Sequence, residues 1–393
     1  MKLLLLLEHT FIEDKNGNIL SDGVVDYNYL KRYLSIFEEV NVCARINKEP
    51  SDKDLNSYKL MVSGKNVTFT YLPWAISSKE LLLNFFKFKK IFRNAVEEYD
   101  KVIIRAPSLI SLFLYNEISS DKKWGIEFVM GANCILSEKN WLRKIVNKYL
   151  DKRAKKMCLK ANGVAYVTEK MLQSKYPSYS LKYKKNHNYF DTHYSSIDLL
   201  PDDFFEKKQN TIPKRKKIIH VGSMQNERKG QKILIDITKK IIDDGYDIET
   251  IFIGDGIKKG DLINYTNEIN IANKVKFLGN ISNRSKVMQE LRKADIFVLP
   301  SSSEGLPRSI IEAMANSLPC VASNVDGIPE LLDDEYLSEY DDVNRFVQII
   351  ERFLNDDDLI RSVGRKNYVK AKKYSYDVVS KRRKEFYKKI KEL

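Results

Sequence analysis

The sequence predicts an α/β protein built from two mostly parallel sheets in tandem. Three observations carry this reading. Short apolar runs alternate with longer amphipathic stretches, as in βα units. The alternation restarts after a polar interruption near the middle of the chain. At 393 residues the chain also exceeds the roughly 250–300 residues at which one core gives way to two domains.

The first set of runs is Leu3–Leu7, Val40–Ala44, Val102–Arg105, Ile126–Met130 and Val164–Thr168. The second is Lys217–Val221, Thr250–Ile253, Val275–Leu278, Ile296–Leu299 and Pro319–Ala322, each followed by a loop of Gly, Ser, Asn or Asp and a helix-like segment. Between the sets, Pro201–Lys217 holds Asp202, Asp203, Asn210, Pro213 and the basic run Lys214–Lys217, with little apolar material to bury, and reads as a linker. The expected domains are 1–205 and 206–375. The basic tail from Ser375 reads as a helix with Val378, Val379, Phe386, Tyr387 and Ile390 as its apolar positions.

Hydrophobic residues at 43% and charged residues at 31% are the balance of a globular protein and exclude disorder. The net charge of +14 draws nucleic acid, anionic lipid or a phosphorylated substrate without choosing among them. No helix-turn-helix, zinc module or RNP-type aromatic strand is legible, so nucleic acid is not the expected partner. Cys43, Cys134, Cys158 and Cys320 lie far apart without metal-type spacing, which suits a reducing compartment. The run Leu3–Leu7 ends at Glu8, too short for a signal core or a membrane span, so a cytoplasmic protein is expected.

Two stretches of the first half are amphipathic and basic. Lys79–Tyr99 interleaves Leu81, Leu82, Leu83, Phe85, Phe86, Phe88, Ile91 and Phe92 with Lys87, Lys89, Lys90 and Arg93; Trp141–Lys160 sets Arg143, Lys144, Lys148, Lys152, Arg153, Lys155 and Lys156 around Ile145, Val146, Tyr149 and Leu150. Such helices either pack an apolar stripe on a sheet with their charges solvated, or lie on an anionic membrane surface.

The most informative stretch runs from Ile296 to Leu332, IFVLPSSSEGLPRSIIEAMANSLPCVASNVDGIPELL. It reads as a buried strand, a loop Ser301–Leu306, a helix starting near Pro307, a second strand and a Gly-Ile-Pro turn. The loop runs straight into a helix N-terminus, where free N–H groups and the helix dipole suit a diphosphate. Pro307 fits the first turn because its missing N–H has no partner there anyway. Glu304 in the loop and Glu312 in the helix would repel phosphate, yet carboxylates accept well from the vicinal hydroxyls of a sugar.

This stretch closely resembles the Glu-x7-Glu donor-site signature of retaining glycosyltransferases of family 4, whose GT-B architecture sets two Rossmann-like domains across a cleft. Glu304, Gly305, Pro307, Glu312, Ala313, Met314, Ala315, Pro319, Ala322, Gly327, Pro329 and Glu330 match the pattern in order. Upstream, His220-Val221-Gly222 and Arg228-Lys229-Gly230 look like the family's first strand and its Lys-Gly loop, which implies that Lys229 reaches the donor diphosphate. A fixed cation beside a leaving nucleoside diphosphate stabilises the transition state more than the ground state. Ser223 stands where the family often has Arg, so Arg228, Arg308 or backbone amides would supply the remaining positive potential. Ser317 stands where Gly is common, a change that a helix C-cap tolerates.

The resemblance further implies that Gly254 and Phe277-Leu278 line the base pocket, with Gly222, Ser223, Arg228, Gly305, Leu306, Pro307 and Arg308 around the diphosphate. In the first domain, strand C-termini are expected at the ligand crevice. There His9 is the candidate catalytic residue beside Glu304 and Lys229, and Asp22, Gly23, Arg105 and Glu127 are candidate acceptor contacts. The final helix resembles the family's crossing helix, which returns to the first domain with residues 376–393.

The implied reaction is retaining transfer of a hexose from a UDP- or GDP-sugar to a glycan or polyprenyl-diphosphate-linked acceptor, as in bacterial surface polysaccharide synthesis. It implies no metal and no cofactor beyond the donor, and a place at the inner face of the plasma membrane. A nucleotide-sugar epimerase on the same fold stays open at this point, and a basic nucleic-acid-binding protein more remotely.

Overall fold

The computed structural model describes residues 1–393 except 24, 133–134, 136–140, 184–186 and 208–215. Cys134 and, in the expected linker, Asn210, Pro213, Lys214 and Arg215 lie outside the described residues. Contacts divide the chain into two compact units, Met1–Tyr194 with Lys381–Leu393, and Ser195–Ser380. The boundary falls before Ser195 because the Pro201–Asp203 turn packs onto the second unit. Phe205 N donates to Ala315 O at 2.9 Å and Asn316 Nδ2 to Asp203 O at 3.3 Å.

The strands are β1 (Lys2–Glu13), β2 (Ile19–Ser21), β3 (Glu39–Asn47), β4 (Leu60–Met61), β5 (Val67–Leu72), β6 (Lys101–Ala106), β7 (Trp124–Phe128), β8 (Gly163–Tyr166), β9 (Phe190–His193), β10 (Lys216–Val221), β11 (Ile248–Ile253), β12 (Val275–Phe277), β13 (Ile296–Leu299), β14 (Cys320–Ser323) and β15 (Leu337–Ser338). Among the described residues the first unit has a parallel sheet in the order β5-β3-β1-β6-β7-β8-β9, with β2 and β4 joined antiparallel at the far end of β1. The second has β12-β11-β10-β13-β14-β15, all parallel. Both place their first strand centrally and wind outward each way, the doubly wound Rossmann-like order. The expected α/β fold with two Rossmann-like sheets is therefore present.

The runs of leucine and isoleucine explain the central strands. Strands of a parallel sheet are covered on both faces, so they read as continuous apolar runs rather than alternation. Leu3, Leu4 and Leu5 are fully buried, as are Ile296 to Leu299 of β13. Strand β7 ends two residues before the expected Met130, although Val129 N still donates to Ala106 O at 2.7 Å. The stretch Lys79–Tyr99 forms two helices, Ser78–Leu83 and Phe85–Glu98, parted at Asn84 (φ −93°, ψ 5°). The other basic stretch is one helix over Trp141–Lys160.

Two local features shape the first unit. Between Leu6↔Cys43 and Thr10↔Arg45 the β1–β3 register shifts, so Leu7, Glu8 and His9 stand opposite Ala44 alone and bulge from the sheet. The final helix, Tyr376–Glu392, starts in the second unit and ends in the first. Its end beds on Gly125 and Gly163, paired across β7 and β8; a Cβ on either would lie 2.7 or 2.8 Å from Ile390 Cδ1. Their missing side chains are what let the helix come so close.

Candidate functional site

The site residues of the second unit hang from the C-terminal ends of β10 and β13. After β10, Gly222 and Ser223 lead to a 3-10 turn, Glu227–Lys229, capped by Gly230 at φ +70°. A Cβ on Gly230 would sit 1.9 Å from Pro300 O, so the Lys-Gly loop can press against the loop after β13 only with glycine there. The two loops are further tied by Ser302 N donating to Arg228 O at 2.9 Å.

This packing brings Lys229 onto Glu304. The Lys229 Nζ donates to Glu304 Oε1 at 2.5 Å, with the two side chains 16% and 6% exposed, so little solvent screens the pair. Ser301 Oγ donates to the same oxygen at 2.7 Å, and Glu304 N donates to Asp326 Oδ2 at 2.8 Å. Gly305 O accepts from Gly327 N at 3.0 Å, which closes the turn beneath the loop. Leu306 is buried, Pro307 is the N-cap, and the helix runs Arg308–Ala315 with no side chain capping its start, so its first N–H groups are left to a ligand or solvent.

Glu312 lies in this helix and sees other charges: Arg284 Nη2 at 3.8 Å, with Arg308 and Asp203 also acting on it. Burial pushes its carboxyl above the usual carboxylate range, and the two arginines only partly offset this. Arg308 itself is exposed at the helix start, whereas Arg228 Nε is buried without a hydrogen-bond partner. Ser223 is exposed, with its Oγ accepting from Gln225 N at 3.3 Å. Ser317 takes the left-handed conformation (φ +58°) beyond the helix end, the C-cap role expected of it.

At the neighbouring strand ends Gly254 abuts Gly222: a Cβ on Gly254 would fall 1.9 Å from Gly222 O. Phe277 stacks on Phe252 with centroids 5.0 Å apart, and Leu278 is 41% exposed beside it.

Three participants are not legible in the sequence alone. Ser301 and Asp326 fix Glu304 from the loop and from the following turn; the only sequence signal for the first is a hydroxyl donor three residues before the carboxylate. His220 sits two residues before Gly222, fully buried. Its Nδ1 is 3.0 Å from Val298 O, so that nitrogen donates the hydrogen bond and the lone pair lies on Nε2. Nε2 has no hydrogen-bond partner and lies under Gly222 beside the Lys229 stem. Burial drives the His220 pKa down to about 3, with the Val298 hydrogen bond opposing and the Lys229 charge adding to it.

In the first unit the bulge presents His9. Its Nε2 lies 2.8 Å from Ser21 Oγ and 3.5 Å from Asp22 Oδ1, and burial holds its pKa below the usual value against the pull of Asp22. Gly23 makes room for the ring, since a Cβ there would be 2.7 Å from His9 Cε1. Arg105 Nη1 donates to Tyr29 Oη at 3.1 Å.

Glu127 differs from its expected part as an acceptor contact. It is fully buried, and both oxygens are taken: Oε2 accepts from Tyr33 Oη at 2.6 Å, and Oε1 from Tyr194 Oη at 2.8 Å and Tyr387 Oη at 2.7 Å. Burial alone would raise its pKa, but Arg105 and the three phenols outweigh it and hold the carboxyl below its usual value. A carboxylate so committed ties elements together and offers no oxygen to a ligand.

The chain resembles known proteins in sequence and in fold. Residues 202–374 match the family model Glycosyl transferases group 1. The chain is 29% identical over 359 residues to Protein CapJ of Staphylococcus aureus, covering 88% of this chain and 85% of that one. It is 33% identical over 127 residues to the UDP-Gal:alpha-D-GlcNAc-diphosphoundecaprenol alpha-1,3-galactosyltransferase of Escherichia coli, covering 31% of this chain and 32% of the relative. Its fold superposes on sucrose-phosphate synthase from Thermosynechococcus elongatus with a TM-score of 0.73 at 16% identity, over 100% and 99% of the two chains. The fold is the GT-B architecture, and residues 202–374, within the second unit, are similar to the group 1 glycosyltransferase family.

Proposed function

We propose that this protein is a retaining glycosyltransferase. It moves a hexose from a UDP- or GDP-sugar to a hydroxyl of a glycan or polyprenyl-diphosphate-linked acceptor in cell-surface polysaccharide synthesis. The observation that carries this is the Lys229–Glu304 pair, held at 2.5 Å beside the uncapped start of the Arg308–Ala315 helix. An ammonium, free helix amides and a carboxylate there match, in turn, a leaving diphosphate and the hydroxyls of the sugar it carries. The Escherichia coli relative, named for a UDP-sugar donor and a diphosphoundecaprenol-linked acceptor, supports both substrate classes.

In this reading the donor diphosphate takes Lys229, and Glu304 turns to sugar hydroxyls, as Glu312 does from within the helix. The anomeric carbon loses its bond to the phosphate oxygen and gains one to the acceptor oxygen on the same face. The acceptor proton passes to the departing phosphate oxygen, so configuration is retained and no protein nucleophile is required. Lys229 and the helix amides carry the electrostatic stabilisation, without a metal.

Calorimetric titration with UDP and GDP, followed by NMR assignment of the anomeric linkage formed from the donor that binds, tests the reading. Binding of one nucleotide, weakened by Lys229→Ala, and a retained anomer are expected. Failure of both nucleotides to bind, or an inverted product, would overturn it.

A further inference from the structure

One face of the first unit holds apolar and basic side chains together in solvent. Leu82, Leu83 and Phe86 are 76%, 75% and 82% exposed, and on the Trp141–Lys160 helix Trp141, Ile145 and Tyr149 are 68%, 55% and 50% exposed. A string of contacts makes these one surface. Phe86 packs edge-on against Phe85 and Phe85 against Phe113, each with centroids 5.6 Å apart. The Arg153 guanidinium then lies over Phe113 at 5.2 Å and over Tyr149 at 5.8 Å.

Helical spacing puts Trp141, Ile145, Lys148, Lys152 and Lys156 on one stripe of the long helix, while Leu150, Ala154 and Met157 bury the opposite stripe against the unit. The helix thus keeps a proper core face and still exposes large apolar groups, which packing on the sheet does not explain. Next to this stripe Arg153, Lys156 and Lys160 line a concavity of about 410 Å³ together with Tyr115 and Asn116.

We infer that this face docks on an anionic membrane leaflet, the apolar tips entering the acyl boundary and the Arg153–Lys156–Lys160 concavity receiving lipid phosphates. Apolar tips standing among lysines suit a leaflet, where stems and rings can sink while ammonium groups stay among phosphates. The net charge of +14 draws the chain to the same surface. Only side chains of the first unit are used, so the inference stands apart from the donor site. It deepens the proposed function by accounting for access to a lipid-linked acceptor.

Co-sedimentation of the full chain with vesicles of phosphatidylcholine alone, and of phosphatidylcholine with phosphatidylglycerol, tests it. Enrichment on the anionic vesicles is expected. Combining Lys148→Gln, Lys152→Gln and Lys156→Gln removes three charges worth about fivefold each, a loss of partitioning on the order of 100-fold at low salt. A Leu82→Ser, Leu83→Ser, Phe86→Ser variant should lose binding while keeping the wild-type melting temperature, because these side chains are already in water. Equal sedimentation on both vesicles, or unchanged binding of either variant, overturns the proposal. So does a wild-type dimer that the serine variant converts to monomer. UDP titration of the wild type separates the two readings, since absent UDP binding alongside enrichment on the anionic vesicles counts only against the donor site.

Discussion

Among the buried carboxylates, Glu127 in the first unit and Glu304 in the second each centre a polar cluster, and the two clusters are built differently. Glu127 accepts from three phenols and faces Arg105 at 3.7 Å, so every partner is an aromatic or arginine side chain fixed by packing. Glu304 accepts on one oxygen from a serine hydroxyl and from Lys229, an ammonium on a flexible stem. The first cluster joins the Tyr27–Leu34 helix, β7 and the final helix, and has nothing to release. The second can exchange its lysine for a ligand. A saturated carboxylate points to architecture, and one with a movable partner points to binding.

The largest expected effect breaks the first cluster. Glu127→Ala would leave Arg105 without its buried counter-charge and three phenols without an acceptor, at a cost of about 3–5 kcal/mol. Hydrogen exchange of β7 and β8 should accelerate by orders of magnitude. If protection there were unchanged, the cluster would not hold the final helix. Breaking the second cluster should act on chemistry instead. Lys229→Ala should lower kcat by about 10²–10³-fold and leave β10 and β13 protection close to wild type. Lys229→Arg, which keeps the charge but not the compact ammonium, should recover only part of the loss.

A smaller effect separates steric fit from backbone conformation. Gly230 and Gly245 both have positive φ, +70° and +94°, but a Cβ on Gly230 meets Pro300 O at 1.9 Å, while one on Gly245 meets nothing within 4 Å. Gly245→Ala should cost about 1 kcal/mol from φ alone. Gly230→Ala should cost a further ~1–3 kcal/mol of overpacking and should also weaken nucleotide binding, because it pushes the Lys-Gly loop from the loop that carries Glu304. Equal melting temperatures for the two variants would remove the steric argument.

The contrast between the units also explains what was legible. The second unit was readable in order because its function lies in consecutive loop-to-helix junctions, where a residue's place in sequence fixes its place in the site. Lys229 and Glu304 were each read from such a junction, whereas their pairing came only with the packing of the two loops. Glu127 could not be read this way. Its partners Tyr33, Tyr194 and Tyr387 come from three distant segments, and no local pattern distinguishes a strand-end carboxylate facing solvent from one roofed by phenols. Strands β5 and β9 were missed for a related reason: they lie at or near the sheet edge, partly exposed, and lack the solid apolar runs that mark central strands.

His220 supplies the finest test, because it probes the second cluster through pH alone. The chain's other histidines, His9, His187 and His193, precede residue 195, so His220 is the histidine of the second unit. Its folded pKa of about 3 lies below the unfolded value near 6.5, so unfolding takes up a proton between those limits. Its contribution is complete above about pH 6.5 and is lost as pH falls toward 3, at up to about 1.4 kcal/mol per pH unit. Carboxylates with ordinary pKa values begin to titrate only near the lower part of that range, and Glu312, whose pKa burial raises, acts in the opposite sense in wild type and variant alike, so over roughly pH 6.5 to 5 the difference between the two reports the imidazole. Hydrogen exchange of β10 and β13, corrected for intrinsic chemical rates, should therefore show a steeper loss of stability on acidification in the wild type than without the imidazole. His220→Gln, which cannot take up the proton, should show a flatter profile over the same window. Parallel profiles would mean that His220 is not held neutral beneath Gly222, and would remove it from the support of Lys229.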